Sequence, residues 1–163
     1  MFIRPAGTAV VLSFFLLDLK YVKVSNAIGL DSQCLSYLID GMQGIRAPQD
    51  NLAAEKIALF RTYLYTPGTL YVTPTVVDEC ARIRCVERRE LHDSFISVLI
   101  AEWQIEEPDQ VEKRARQLLS IHSGEHDCQI LAEAEHAGFH ALLTYDSALL
   151  NHFRNVDSSV LLE

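Results

Sequence analysis

Four carboxylates stand out by their positions. Asp31 follows the apolar run Ala27-Ile-Gly-Leu30, and Asp146 follows Ala141-Leu-Leu-Thr-Tyr145. Each reads as the tip of a buried strand. Glu79 and Asp127 each fall in the first turn of an amphipathic helix. Glu79 comes three residues after Val76 and four before Ile83, so it shares their face, while Asp78 falls with Arg82 on the outer face. Asp127 precedes Ile130 and Leu131 by three and four residues, in line with Ala134. Glu125 is turned about 200° away from it. In open α/β sheets chemistry gathers beyond the C-terminal ends of the strands, beside the first turn of the helix that follows. Four carboxylates brought together there repel and raise one another's pKa values. A divalent cation relieves this, and oxygen ligands alone select a hard ion, Mg²⁺ or Mn²⁺ rather than zinc. Such an ion suits phosphodiester hydrolysis, where it activates water and offsets phosphate charge. Taken singly, each acid has a plainer role: Asp31 and Asp146 as N-caps, Glu79 and Asp127 as residues favoured by the helix dipole. Their joint placement favours the metal reading.

The elements that must position these acids alternate between strand and helix. Ala27–Leu30 reads as a short buried strand and Ser32–Ile39 as a helix, with Gly41 to Pro48 as a loop. Asp50 is placed to cap a helix through Leu52, Ile57, Phe60 and Leu64, and Pro67-Gly68 stops it. Leu70–Thr73 is a second strand. Pro74 and Thr75 open a helix, and Thr75-Val-Val-Asp78 approximates a capping box. Arg82, Arg84, Arg88 and Arg89 make that helix basic, and a further helix runs from Leu91 to Ala101. Trp103–Ile105 reads as a brief strand. Pro108–Ile121 reads as a helix with Val111, Leu118 and Leu119 inward and Lys113, Arg114 and Arg116 outward. A helix at 124–137, with Ser123 as its N-cap, stops at Gly138 and leads into the strand at 141–145. Ser147–Phe153 is a short helix and Ser159–Leu162 a candidate last strand. The alternation implies an α/β domain with a mainly parallel sheet.

Composition sets bounds. The 163 residues, 49% of them hydrophobic, are enough for one domain with a sizeable core. A formal charge of -8 excludes binding of nucleic acid through the overall field, so any such role needs a local basic patch. The four cysteines, Cys34, Cys80, Cys85 and Cys128, lack a CxxC pair and read as reduced, mostly buried thiols of a cytoplasmic protein. The apolar run Ala9–Leu17 is too short for a membrane span, which needs roughly 18 residues or more. No small-residue cleavage site follows it, so an extra strand or helix over the core is expected.

The motifs, in order, resemble those of the PIN domain family, most closely the toxin ribonucleases of VapBC-type toxin–antitoxin pairs. They are Asp31-Ser32 after Ile28-Gly-Leu30; Glu79 after Val72-Thr-Pro-Thr-Val-Val77; Asp127-Cys-Gln-Ile-Leu-Ala-Glu-Ala134 ahead of Gly138; and Leu142-Leu-Thr-Tyr-Asp146, with Thr144 two before the acid. The resemblance covers residues 26–163 and leaves 1–25 as an N-terminal extension without a family counterpart. It implies a three-layer α/β/α fold around a central, mainly parallel sheet. It also implies an Mg²⁺- or Mn²⁺-dependent endoribonuclease, often a homodimer and often held by an antitoxin. Catalytic and metal-ligand roles pass to Asp31, Glu79, Asp127 and Asp146, supported by Ser32 and Thr144. Gln33 departs from the small Asn or Ser usual in the family. Arg84, Arg88 and Arg89 are the expected RNA contacts, and Lys113 to Arg116 could add to a basic rim.

Rival readings fit less well. A haloacid dehalogenase-type phosphatase wants a second Asp where Gln33 stands. A response-regulator receiver wants paired acids at the first strand and a late-strand Lys. Zinc on His122, His126, Cys128 and His136 matches no standard spacing, and these histidines read as scattered surface residues. The main non-enzyme alternative is a PIN-like RNA- or protein-binding module that has lost its chemistry; the presence of all four acids argues against it.

Overall fold

Short apolar runs that stop at helix-starting residues build the sheet. The computed structural model describes residues 10–13, 27–43, 52–65 and 70–153. In chain order the elements are β1 (Val10–Ser13), β2 (Ile28–Leu30), α1 (Ser32–Met42), α2 (Ala53–Tyr65), β3 (Leu70–Val72), α3 (Pro74–Ala81), α4 (Val86–Leu99), β4 (Ala101–Glu102), α5 (Pro108–Leu118), α6 (Glu125–His136), β5 (Ala141–Thr144) and α7 (Ser147–Phe153). The sheet has five strands in the order β1-β5-β2-β3-β4. β5, β2, β3 and β4 are parallel, and β1 pairs antiparallel with β5. The α/β class and mainly parallel sheet are therefore as expected. The N-terminal apolar run supplies a strand, with Val10 opposite Thr144 and Ser13 opposite Ala141. β5 is thereby paired on both edges, and all four of its residues are buried.

The core lies where helices cover these strands. Leu30, Leu35, Leu38, Ile39, Val72, Val76, Val111, Leu118, Leu131 and Leu142 are fully or almost fully buried. Phe139 packs against Tyr71 and Trp103, with ring centroids 5.6 and 5.5 Å away. Gly29 on β2 makes room for it. A Cβ at residue 29 would lie 2.8 Å from Phe139 Cδ2 and 3.0 Å from Leu142 Cδ1. Helix α6 ends as its glycine signal requires. Gly138 takes φ 69°, its N–H donates to the Glu135 carbonyl, and that of Phe139 donates to the Ala134 carbonyl.

Several boundaries differ from the sequence reading. α1 runs on through Gly41 to Met42. The basic helix is broken: α3 stops at Ala81, and Arg82 to Cys85 form a bend before α4. The third parallel strand is Ala101–Glu102, two residues earlier than Trp103–Ile105. The capping box at Thr75 is absent, because Thr75 bonds to Glu133 of α6 instead and Thr73 is the N-cap. Gly124, not Ser123, caps α6. Leu119 is exposed, since α5 ends one residue before it. Asp50, most of the 41–48 loop, Pro67-Gly68 and Ser159–Leu162 lie outside the described residues. The thiols are free, with Cys34, Cys80 and Cys128 buried and Cys85 exposed.

Buried polar bonds join the helices. Asp40 of α1 meets Lys56 of α2 at 3.1 Å and Arg88 of α4 at 3.4 Å. His92 of α4 is fully buried, with Nδ1 2.7 Å from the Arg88 carbonyl oxygen and Nε2 2.8 Å from the Ser36 hydroxyl. A neutral imidazole satisfies both, donating from Nδ1 and accepting at Nε2.

Two stability predictions follow from this packing. Gly29→Val should overfill the space beside Phe139 and cost about 1–3 kcal/mol, read as a lower urea midpoint. An unchanged midpoint would mean Phe139 moves aside freely. The second concerns His92, whose pKa is pushed below its ordinary value of 6.5 first by burial and also by the Arg88 charge; the Arg88 carbonyl, Asp40 and Asp93 act in the opposite direction. With the folded-state pKa depressed, the unfolded chain takes up the proton first. Stability from this site is then full above about pH 6.5 and falls as pH drops through the lowered value. Melting temperature measured from pH 7.5 to 5 should fall more steeply in the wild type than in His92→Gln, and equal slopes would remove His92 as the cause.

Candidate metal centre

The strand order creates a crevice. From β2 the chain moves outward to β3 and β4 on one side, then returns to β5 on the other. Ligand sites in open α/β sheets lie at such a reversal, beyond the C-terminal strand ends. Asp31 ends β2 and Asp146 follows β5, so both flank the crevice. Leu30 pairs with Leu143, and the Asp31 N–H donates to the Leu143 carbonyl at 3.1 Å.

Asp31 is the N-cap of α1, its Oδ1 accepting from the Cys34 N–H. Burial pushes its carboxyl above the ordinary range; hydrogen bonds from the Thr144 hydroxyl and from Cys34 and Tyr145 hold part of that rise back. Thr144 is fully buried, and its Oγ1 also accepts the Asp146 N–H at 3.0 Å. One hydroxyl thus ties the two strand-end acids together. Asp146 caps α7, its Oδ1 accepting from Ala148 and Leu149.

Asp127 and Asp146 come together with a residue that the acid pattern omitted. One ligand atom each of His122, Asp127 and Asp146 lies within 4.8 Å of the others. Two unit charges at that separation repel by about 3 kcal/mol at an effective dielectric of 20, less where solvent reaches Asp127, whose side chain is 36% exposed. His122 relieves part of this, with Nε2 3.0 Å from Asp127 Oδ2. The donor set fits a divalent cation, and the bare Cα of Gly124 lets the two side-chain tips of His122 and Asp127 approach each other. A Cβ on Gly124 would stand 2.6 Å from His122 Nε2 and closer still to Asp127 Oδ2.

Asp31 and Glu79 are not part of this close group. Asp78 is exposed; Glu79 is half-buried and inward as expected, but α3 starts at Pro74, which puts Glu79 in the second turn and not the first. Its carboxylate engages His126 Nδ1 at 2.9 Å, and Arg82 lies 3.5 Å from His126 Nε2. It also lines a cavity of about 340 Å³ with Ser32, Gln33, Ser36, Cys80 and Ile83. Helix α3 is fixed relative to α6 by buried Glu133, which accepts from the Thr75 N–H at 3.1 Å and hydroxyl at 2.6 Å. Glu79 and Asp127 therefore ride on helices bolted to each other.

The zinc set of His122, His126, Cys128 and His136 does not assemble. The Cys128 thiol donates to the His122 carbonyl, and His126 and His136 stand at opposite ends of α6. His122 is nevertheless only 5% exposed, which corrects its reading as a surface histidine. A lone His in a turn gives no periodic signal; its place just ahead of Gly124 and Asp127 was the available clue. Among the arginines, Arg88 is drawn to Asp40 and Arg89 donates to the Ile83 carbonyl, while Arg84 is exposed. Arg114 forks onto Glu135 and Arg116 pairs with Glu112. The basic rim is thus reduced to Arg82, Arg84 and Lys113. No family model matches the chain, and no curated protein matches it.

Thr144→Val removes the hydroxyl shared by Asp31 and Asp146. It should cost about 1 kcal/mol or more of stability and weaken Mn²⁺ binding, measured by urea unfolding and by calorimetric titration. Wild-type values for both would mean the hydroxyl does not link the two acids.

Proposed function

We propose that the protein is a divalent-cation-dependent endoribonuclease with a three-layer, PIN-like architecture, of the kind that serves as the toxin of a toxin–antitoxin pair. One observation carries this reading: Asp127 and Asp146 converge with His122 to ligand distance at the C-terminal edge of a parallel sheet, at its reversal point. When bound, a divalent cation supplies Lewis acidity and a water acidic enough to attack phosphorus near neutral pH.

The chain's own residues do the rest. Asp127 and Asp146 hold the ion. Asp31, joined to the same strand end through Thr144, has a carboxyl raised by burial and so takes up a proton more readily than an exposed acid. Glu79 orients His126 beside Arg82, an imidazole and a guanidinium where phosphate oxygens can be met. Arg84, exposed at the bend before α4, extends that charge. RNA is the substrate favoured by the motif resemblance, which also suggests an antitoxin and a second copy of the chain as partners.

Asp127→Asn and Asp146→Asn should each lower cleavage of single-stranded RNA in Mn²⁺ or Mg²⁺ by more than about 100-fold, beyond the loss typical of a change outside the ligand shell. Far-UV circular dichroism should stay unchanged. Asp78→Asn, on the exposed face of the helix that carries Glu79, should keep its activity. Cleavage that survives excess chelator, or full activity in Asp127→Asn, would end the metal-nuclease reading.

A further inference from the structure

Building on the metal-nuclease reading, we infer that His122 is itself a metal ligand, and that its nitrogen makes the centre favour a first-row transition ion such as Mn²⁺ over Mg²⁺. The imidazole is set in place by the fold. His122 lies in the turn between α5 and α6, where its N–H donates to the Leu118 carbonyl at 3.0 Å and its own carbonyl accepts the Cys128 thiol at 3.3 Å. The residue is only 5% exposed, yet its Nε2 faces the two carboxylates.

The spacing matches two donors on one ion. Bonds of about 2.1 Å meeting at a right angle put their donor atoms about 3.0 Å apart. His122 Nε2 and Asp127 Oδ2 are separated by 3.0 Å, and the Asp146 oxygen is within 4.8 Å of both. A simple His–Asp ion pair does not need the Asp146 carboxylate. A Cβ on Gly124 would strike the Asp127 and His122 side-chain tips rather than backbone. The fold can absorb an alanine by moving those tips, but the donor geometry is then lost.

The donor chemistry sets the choice of ion. Mg²⁺ takes oxygen ligands and holds its waters tightly, whereas imidazole suits the first-row transition ions. Four carboxylates alone would have favoured hard ions generally. One buried imidazole, with two acids at ligand distance among the described residues, tips the set towards the first-row transition ions.

The test uses the full chain loaded with Mn²⁺ alone. Pulsed electron paramagnetic resonance should show a ¹⁴N coupling to the bound Mn²⁺. The coupling should persist in His126→Gln and disappear in His122→Gln, whose amide oxygen can reach the place of Nε2. Competition calorimetry should find Mn²⁺ preferred over Mg²⁺ by at least about tenfold in the wild type, a 1.4 kcal/mol difference, with the preference reduced severalfold in His122→Gln. Gly124→Ala should keep its far-UV circular dichroism and weaken both ions alike. Mn²⁺ bound without a ¹⁴N coupling, or displaced by equimolar Mg²⁺, would overturn the assignment of His122 and leave the nuclease reading standing. A wild-type protein that binds neither ion would overturn both. The coupling is read on the wild type, so a misfolded variant does not blunt the test.

Discussion

The site depends first on the parallel pairing of β2 with β5. Ile28 to Leu30 lie against Ala141 to Leu143, and the ladder ends in the bond from the Asp31 N–H to the Leu143 carbonyl. This pairing brings together strands more than a hundred residues apart in sequence and sets two acids at one crevice. Both strands are short, so their registry leans on packing as well as on hydrogen bonds. Gly29 is the clearest example: its missing Cβ lets Phe139 close over β2, just before the chain enters β5. Side-chain period in a strand is two residues, so a slip of one would turn Thr144 out of the interior and break its bonds to both acids.

Two buried carboxylates outside the crevice hold the helices that deliver the remaining groups. Glu133 ties α6 to the start of α3, and Asp40 joins α1, α2 and α4 through Lys56 and Arg88. The Asp40 ion pairs add little net stability, because the desolvation cost offsets much of the attraction, and the Glu133 carboxylate is met by the neutral donors of Thr75 and Gln129. They do penalise any arrangement that leaves the charge unpaired. That suits a site in which Glu79 of α3 must meet His126 of α6 within a few ångströms.

Charge is distributed to match. The chain carries a formal charge of -8, and much of its positive charge is neutralised internally: Arg88 by Asp40, Arg114 by Glu135, Arg116 by Glu112. Arg82 remains exposed beside the Glu79–His126 pair, and Arg84 is exposed two residues on. A cation at the centre would add to this small positive field, so an acidic protein can still meet an anionic chain there.

The sequence by itself determined the class of fold and the inward acids. Helical phase alone separated Glu79 from Asp78 and marked Asp127 as facing the core, because the 3.6-residue period is local. Gly138 ended its helix for an equally local reason, a positive φ that glycine tolerates. The motif Leu142-Leu-Thr-Tyr-Asp146 singled out Thr144, but the hydroxyl it shares between Asp31 and Asp146 came only with the structure. Strand order was not legible, since it depends on which buried faces match across long loops. For the same reason, tertiary structure alone decided that Val10–Ser13 covers the edge of β5, that Arg88 turns to Asp40, and that Glu79 pairs with His126. His122 is the sharpest case. A single histidine in a turn carries no periodicity, and only the packing of α5 against α6 buries its ring and turns Nε2 towards Asp127 and Asp146.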